Sequence, residues 1–319
     1  SVLRTPVFDR IAREGVLFEH AFSNAPSCTP ARFAFLTGQY HWRLQGAERL
    51  GGSLQADVPV YPDLLAQAGY LVGFSRKGAE PSQHLFRGND PCGKRYKNFD
   101  QFLSARKSGQ PFCYWYGAGE PHRPYPWRSS ESNGMKIAKG DVPAWLPDSP
   151  DVRTAIGDYF LRIQKLDQFA GEIVDRLTEI GELNNTLLIM TGDNGMPFPR
   201  AKATLYDAGT RVPMAIRWGG NLHPNRRVSD FVSFVDMAPT ILDACGIDIP
   251  SVVSGGSLRS QLELEQGNWI DVKRNSVLTG REKHGYYLPS RALRYVEYLY
   301  IRNFSPASWK QGQQAGKQP

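Results

Sequence analysis

Val16-Leu17-Phe18-Glu19-His20-Ala21-Phe22, a short loop, then Cys28-Thr29-Pro30-Ala31-Arg32-Phe33-Ala34-Phe35-Leu36-Thr37-Gly38 reads as a strand that runs through a loop into a helix. That unit builds layered α/β domains. Pro30 has no backbone N–H and suits a first helical turn. Cys28 therefore sits beside the unpaired amides and partial positive charge of a helix N-terminus, where an anion is favoured. Arg32, four residues on, can point back toward it. Taken alone, a cysteine at a helix start is more often a packing residue than a chemical one.

Outward from this unit the same alternation continues. Thr5-Pro6 is expected to cap and start a helix through Phe8, Ile11 and Ala12, which Gly15 stops. Pro62 to Gly69 reads as a helix and Tyr70 to Ser75 as a strand. Phe112-Cys113-Tyr114-Trp115-Tyr116 is an apolar run between breakers, the mark of a buried strand. Pro124 to Pro150 reads as a long surface loop. Asp151 to Ile180 has helical periodicity through Ile156, Phe160, Ile163, Leu166, Ile173, Val174 and Leu177. Asn184-Asn185 turns the chain into a buried strand, Thr186 to Met190. Strands separated by helices predict a layered α/β sandwich with a mostly parallel central sheet, and such sheets place their sites past the carboxyl ends of the strands.

The chain has 319 residues, with 22% charged and 41% hydrophobic, and is an ordinary globular composition. A net charge of +7 favours an anionic partner. Its basic residues are scattered rather than interleaved with aromatics, which argues against a nucleic-acid groove and leaves a solvated basic surface or a sulfated glycan. No apolar run approaches the roughly 20 residues of a membrane span. The four cysteines, at 28, 92, 113 and 245, are too dispersed for a disulfide scaffold. Cys113 and Cys245 are expected in the core and Cys92 in an exposed loop.

A second chemical cluster follows the strand Leu187-Leu188-Ile189-Met190, where Thr191-Gly192-Asp193-Asn194-Gly195 brings a carboxylate and an amide oxygen out together. Hard cations such as calcium prefer these donors, although the same triplet is commonly only a turn. Pro121-His122-Arg123-Pro124 puts an imidazole just past the Phe112 strand, as a structural residue or a proton donor.

The full string Cys28-Thr29-Pro30-Ala31-Arg32, with its Leu36-Thr37-Gly38 ending, resembles the signature of the type I, formylglycine-dependent sulfatases. The resemblance extends over roughly Thr5 to Phe304 and implies an alkaline-phosphatase-like fold. In that family the cysteine is oxidised by a formylglycine-generating maturation enzyme to an aldehyde, which hydrates to a geminal diol. One diol oxygen attacks sulfur, and the second hydroxyl expels sulfate from the covalent ester. By the same resemblance Asp193 and Asn194, with residue 28, bind a divalent cation, usually Ca2+. Lys202, in Lys202-Ala203-Thr204-Leu205-Tyr206-Asp207-Ala208-Gly209, meets the sulfate. Lys77 contacts nucleophile and sulfate, and His122 stands by the leaving-group oxygen. Arg281 and His284, in Arg281-Glu282-Lys283-His284-Gly285, become candidate substrate contacts, with an exposed basic hairpin as the alternative.

Two departures accompany the match. Many sulfatases carry a histidine two residues after the lysine matched by Lys77, where this chain has Ala79. Relatives begin with a strand ending in two aspartates that complete the metal shell, and no Asp-Asp pair occurs here. The chain is therefore expected to be a piece truncated at both ends, with a catalytic α/β domain over residues 1–268 and an incomplete C-terminal subdomain over 269–319. Met196-Pro197-Phe198-Pro199 and Asp236-Met237-Ala238-Pro239-Thr240 resemble the sulfamidase (heparan N-sulfatase) branch. The implied activity is hydrolysis of sulfate esters or sulfamates of glycosaminoglycan-like carbohydrates, in a periplasmic, secreted or lysosomal compartment. The alternatives are a catalytically silent protein that binds anionic glycans and a phosphonate or phosphodiester hydrolase of the same superfamily.

Overall fold

In the computed structural model, which describes residues 2–306, the opening unit forms as helix α1 (Pro6–Arg13), strand β1 (Val16–Phe22) and helix α2 (Cys28–Thr37). Next come α3 (Tyr61–Gln67), β2 (Leu71–Arg76), β3 (Lys94–Tyr96), α4 (Phe99–Ser104), β4 (Phe112–Gly117), α5 (Ser129–Ser132) and the long α6 (Pro150–Glu179). The chain continues through β5 (Leu187–Thr191), α7 (Asp207–Thr210), β6 (Met214–Trp218), β7 (Arg226–Ser233), α8 (Met237–Ala244) and α9 (Arg259–Glu263). It closes on β8 (Ser276–His284), β9 (Tyr286–Tyr295) and β10 (Tyr298–Asn303). The expected tail Gln311 to Pro319 lies outside the described residues.

Parallel pairing dominates the α/β body, but it is divided between two sheets. One has the order β5-β6-β1-β7 and the other β3-β2-β4. Strand β2 is parallel to both of its neighbours and β1 is parallel to β7, whereas β6 is antiparallel to β1 and to β5. Both sheets lie between the same two helical layers. Cys113 and Trp115 of β4, and Leu187 and Ile189 of β5, pack with Phe33, Leu36, Phe74, Phe234 and Leu242 on the side of α2, α3 and α8. The alternate residues Phe112, Tyr114, Leu188 and Met190 pack with Ile11, Phe99, Phe102, Val174 and Leu177 on the side of α1, α4 and α6. Period-two alternation thus feeds two cores from one strand.

Helix α2 is buried along its whole length, all ten residues of it. Its Phe and Thr residues are weak helix formers, so tertiary packing rather than propensity holds it. Each buried Phe contributes roughly 1.5–3 kcal/mol. The third sheet, β10-β9-β8, is an antiparallel meander.

Two local expectations are corrected. Thr5 occupies the cap position of α1 but makes no side-chain cap. Asp167 of α6 takes that place, accepting from the Val7 and Phe8 amides at 2.9 and 2.8 Å, a stronger partner because the carboxylate is charged. Cys92, expected exposed in its Pro/Gly loop, is 1% exposed, because the loop folds inward and Asp90 accepts from the Cys92 amide at 2.9 Å.

Candidate active site

Cys28 is the first residue of α2, behind the extended Ser27, so its own amide is among the unpaired N–H groups of the helix N-terminus. Arg32, one turn later, is held at both ends of its guanidinium. Its Nε donates to Asp193 Oδ2 at 3.0 Å, and its Nη1 donates to the Lys77 and Gly78 carbonyls at 3.2 and 2.6 Å. Trp115 of β4 lies beneath, its ring centroid 5.8 Å from the Arg32 guanidinium carbon and its indole N–H donating to the Lys77 carbonyl at 3.2 Å.

The loop carrying Lys77 approaches β4 so closely that glycine is required at Gly117, where a Cβ would come within 1.6 Å of the Lys77 carbonyl. A backbone hydrogen bond, Lys77 N–H to Gly117 O at 2.8 Å, closes the contact. Gly195 plays the same part on the other side. A Cβ there would lie 1.8 Å from the Ala208 carbonyl, and its amide donates to Gly209 at 2.9 Å. The Asp193-Asn194 turn is thereby seated on α7.

Lys202 reaches across this turn to place Nζ 3.5 Å from Cys28 Sγ, and Asn194 Nδ2 lies 3.9 Å from the same sulfur. Asn194 also donates to Asp193 Oδ1 at 2.5 Å. Three cations, Arg32, Lys77 and Lys202, therefore face one carboxylate. Burial alone would raise the Asp193 pKa, but those three charges overcome it and hold the carboxyl below its usual range. Burial likewise opposes the charge on Arg32, while Asp193 and Cys28 more than offset it and raise its pKa.

His284, from the last position of β8, lies with Nδ1 2.8 Å from Ser27 Oγ. Burial first, then the charges of Lys202, Arg281 and His122, push its pKa down to about 4, so it is a neutral imidazole at neutral pH. His122 itself is exposed, with Nδ1 2.5 Å from the Arg123 carbonyl. Arg281 donates from Nη1 to the Ala203 carbonyl at 2.6 Å. The nucleophile candidate, Arg32, Lys77, Asp193, Asn194, Lys202 and His284 thus share one site, with Arg281 and His122 at its margin.

Ala79 is fully buried, and its amide donates to Asp90 at 3.2 Å. No side chain there reaches the site. His84, five residues on, is engaged instead with Asp90 at 3.3 Å.

The donor set for a cation is incomplete. Both Asp193 oxygens already accept from Arg32 and Asn194, and among the described residues no group of three His, Cys, Asp or Glu side chains is placed to hold a metal. Calcium takes about 6–8 oxygens. Asp193, Asn194 and residue 28 would supply only part of such a shell.

Ser27, Trp115 and the Ala203 carbonyl were not singled out in the sequence. Trp115 lies in an apolar run that reads as core, and a backbone carbonyl carries no residue-type signal.

The family described as sulfatase matches residues 1–247. Human N-sulphoglucosamine sulphohydrolase is 28% identical over 95% of this chain and 68% of its own length. An ulvan-active sulfatase of Formosa agariphila is 26% identical over 96% of this chain and 58% of its own. The chain thus spans roughly three fifths to two thirds of the length of these relatives. A structure solved in complex with D-glucosamine-2-N,6-O-disulfate superposes with a TM-score of 0.75 at 19% identity, covering 94% of this chain and 84% of that one. A phosphonate monoester hydrolase from Silicibacter pomeroyi superposes at 0.70 with 18% identity, covering 96% and 85%. These structures share the alkaline-phosphatase-like fold. With the signature at Cys28, the Asp193-Asn194 turn and Lys202 gathered at one site, and with more than three quarters of its length matched, the chain belongs to the sulfatase family.

Proposed function

We propose that this chain carries the catalytic centre of a sulfohydrolase acting on sulfate esters or sulfamates of carbohydrates of the glycosaminoglycan type. The observation that carries the reading is the cradle around Cys28: a nucleophile position at a helix N-terminus, 3.5 Å from Lys202 Nζ, with Arg32 and Lys77 against a single carboxylate. Such an excess of fixed cations suits a tetrahedral dianion or monoanion whose oxygens gain charge as the bond to sulfur changes. The names of the relatives support the substrate class.

Conversion of Cys28 to formylglycine by a maturation enzyme would supply an aldehyde hydrate as oxygen nucleophile. Around it, Arg32 holds the Lys77 loop and Asp193 in register. Lys202 and Lys77 neutralise the non-bridging sulfate oxygens. His122, exposed at the margin, donates a proton to the leaving oxygen or nitrogen. A divalent cation, Ca2+ by the resemblance, would take Asp193 and Asn194 as ligands; the described residues do not complete its shell. Passage through a secretory or periplasmic compartment accords with this maturation chemistry. Among the described residues no helix is long and apolar enough to cross a membrane.

Mass spectrometry of the peptide containing residue 28, from a host with the maturation machinery, tests the reading together with release of product from sulfated and phosphorylated chromogenic esters. An aldehyde mass and preference for the sulfate ester are expected. An intact thiol with no turnover would favour a silent glycan-binding protein. Preference for the phosphorylated ester would favour the phosphonate or phosphodiester hydrolase.

A further inference from the structure

The two candidate substrate contacts of β8 are bonded to protein, and to the two loops that carry the reacting groups. Arg281 Nη1 donates to the Ala203 carbonyl at 2.6 Å, next to Lys202. His284 Nδ1 lies 2.8 Å from Ser27 Oγ, next to Cys28. Those loops are themselves tied together, because the Ala203 amide donates to the Pro26 carbonyl at 2.9 Å.

Three observations make this arrangement more than incidental. The β8–β9 register shifts between Arg281 and Lys283, where two steps along β8 face three along β9, so the hairpin carries a bulge on β9 beside the two contacts. Ala203, the residue Arg281 holds, has φ +67°, a left-handed conformation that alanine adopts only where its surroundings dictate it. The hairpin is also anchored from the other side, where the Leu50 amide donates to the Lys283 carbonyl at 3.2 Å and the Gly51 amide donates to Thr29 Oγ1 of α2 at 3.1 Å.

We propose that Arg281 and His284 are positioning residues: Arg281 fixes the Lys202 loop through the Ala203 carbonyl, and His284 fixes the start of α2 through the Ser27 hydroxyl. Arg281 spans the last gap because its planar fork reaches a carbonyl and its own hairpin together; Nε donates to Leu288 O at 3.4 Å. The C-terminal sheet then acts as the external clamp that sets the Lys202 to Cys28 separation. This deepens the sulfohydrolase reading but rests on it only for the second of two tests.

The first test needs no activity. Amide hydrogen exchange of the intact protein is compared for wild type, Arg281→Ala, Arg281→Lys and His284→Ala, at residues 26–36 and 200–206, with α3 as internal control. Arg281→Ala should speed exchange of the Ala203 amide at least tenfold while α3 keeps its protection, and Arg281→Lys should recover part of it. His284→Ala should loosen the start of α2. Unchanged exchange at 200–206 in Arg281→Ala overturns the proposal.

The second is a double-substitution cycle on binding of inorganic sulfate by calorimetry. Lys202→Met and Arg281→Ala should each weaken binding about tenfold, and the double variant no more than Lys202→Met alone, because Arg281 acts through Lys202. Losses that multiply in the double variant would mean that Arg281 itself touches the anion, and overturn positioning. A wild type that fails to bind sulfate, with the exchange result as expected, rejects the sulfohydrolase reading and leaves the clamp standing.

Discussion

Lys202 Nζ lies 3.5 Å from Cys28 Sγ although the two residues are 174 positions apart in the chain. One comes from the loop after β5 and the other from the first turn of α2. Their approach depends on the Asp193-Asn194 turn being seated on α7 through Gly195.

Replacing Lys202 by Met removes the cation nearest the nucleophile with little change of volume. Loss of one such charge typically costs about 10²–10³ in turnover. The expected result is a fall of about that size in kcat for a sulfated chromogenic ester, with the thermal midpoint near wild type. Unaltered kcat would remove Lys202 from the reacting centre.

Arg32→Ala would leave Asp193 without its ion pair and strip donors from two carbonyls. The Arg32 side chain is 9% exposed and that of Asp193 27%, so the pair is largely shielded from water. Breaking a buried pair costs about 3–5 kcal/mol, and the lower end applies because Asp193 retains some solvent. Urea denaturation should show about 3 kcal/mol of lost stability. Arg32→Lys should recover little of it, since a single ammonium cannot serve the carboxylate and both carbonyls.

Gly195→Ala places a methyl group where the Ala208 carbonyl already lies 1.8 Å from the ideal Cβ position. The turn must lift from α7, at a cost of about 1–3 kcal/mol. Asn194 and Asp193 move with it, so the variant should lose sulfate binding as well as stability. Calorimetry and thermal melting measure the two effects separately.

Acid sensitivity should centre on His41. Its ring is fully buried, and among the described residues neither nitrogen has a hydrogen-bond partner. Burial, reinforced by the charge of Arg291, lowers its pKa to about 3. Between an unfolded value of about 6.5 and that folded value, the unfolded chain binds a proton that the native protein does not. Stability is therefore unaffected above about pH 6.5 and declines as pH falls, by about 1.4 kcal/mol per pH unit from this residue. The depressed pKa of His284, about 4, adds to the same limb. Urea midpoints measured from pH 7 to pH 4 should show the decline, and His41→Phe should flatten it. An unchanged slope in that variant would assign the acid limb elsewhere.

The strand-loop-helix unit at residues 16–37, the long helix before β5 and the turn after it were all legible in the chain. Local periodicity and breaker residues specify them, and the chemistry of Cys28, Arg32, Asp193, Asn194 and Lys202 is tied to motifs that can be read without coordinates. Partnership was not legible. Asp167 replaces Thr5 at the start of α1, and Cys92 turns inward. The body sheet is divided between β4 and β5, and Arg281 and His284 bind backbone and hydroxyl within the protein. Residue type and spacing state what a side chain can do. Which carbonyl or hydroxyl it meets depends on distant segments and on approaches as close as those at Gly117 and Gly195. Only the packed tertiary structure sets these, because burial forces each polar group to take whatever partner the fold brings within about 3 Å.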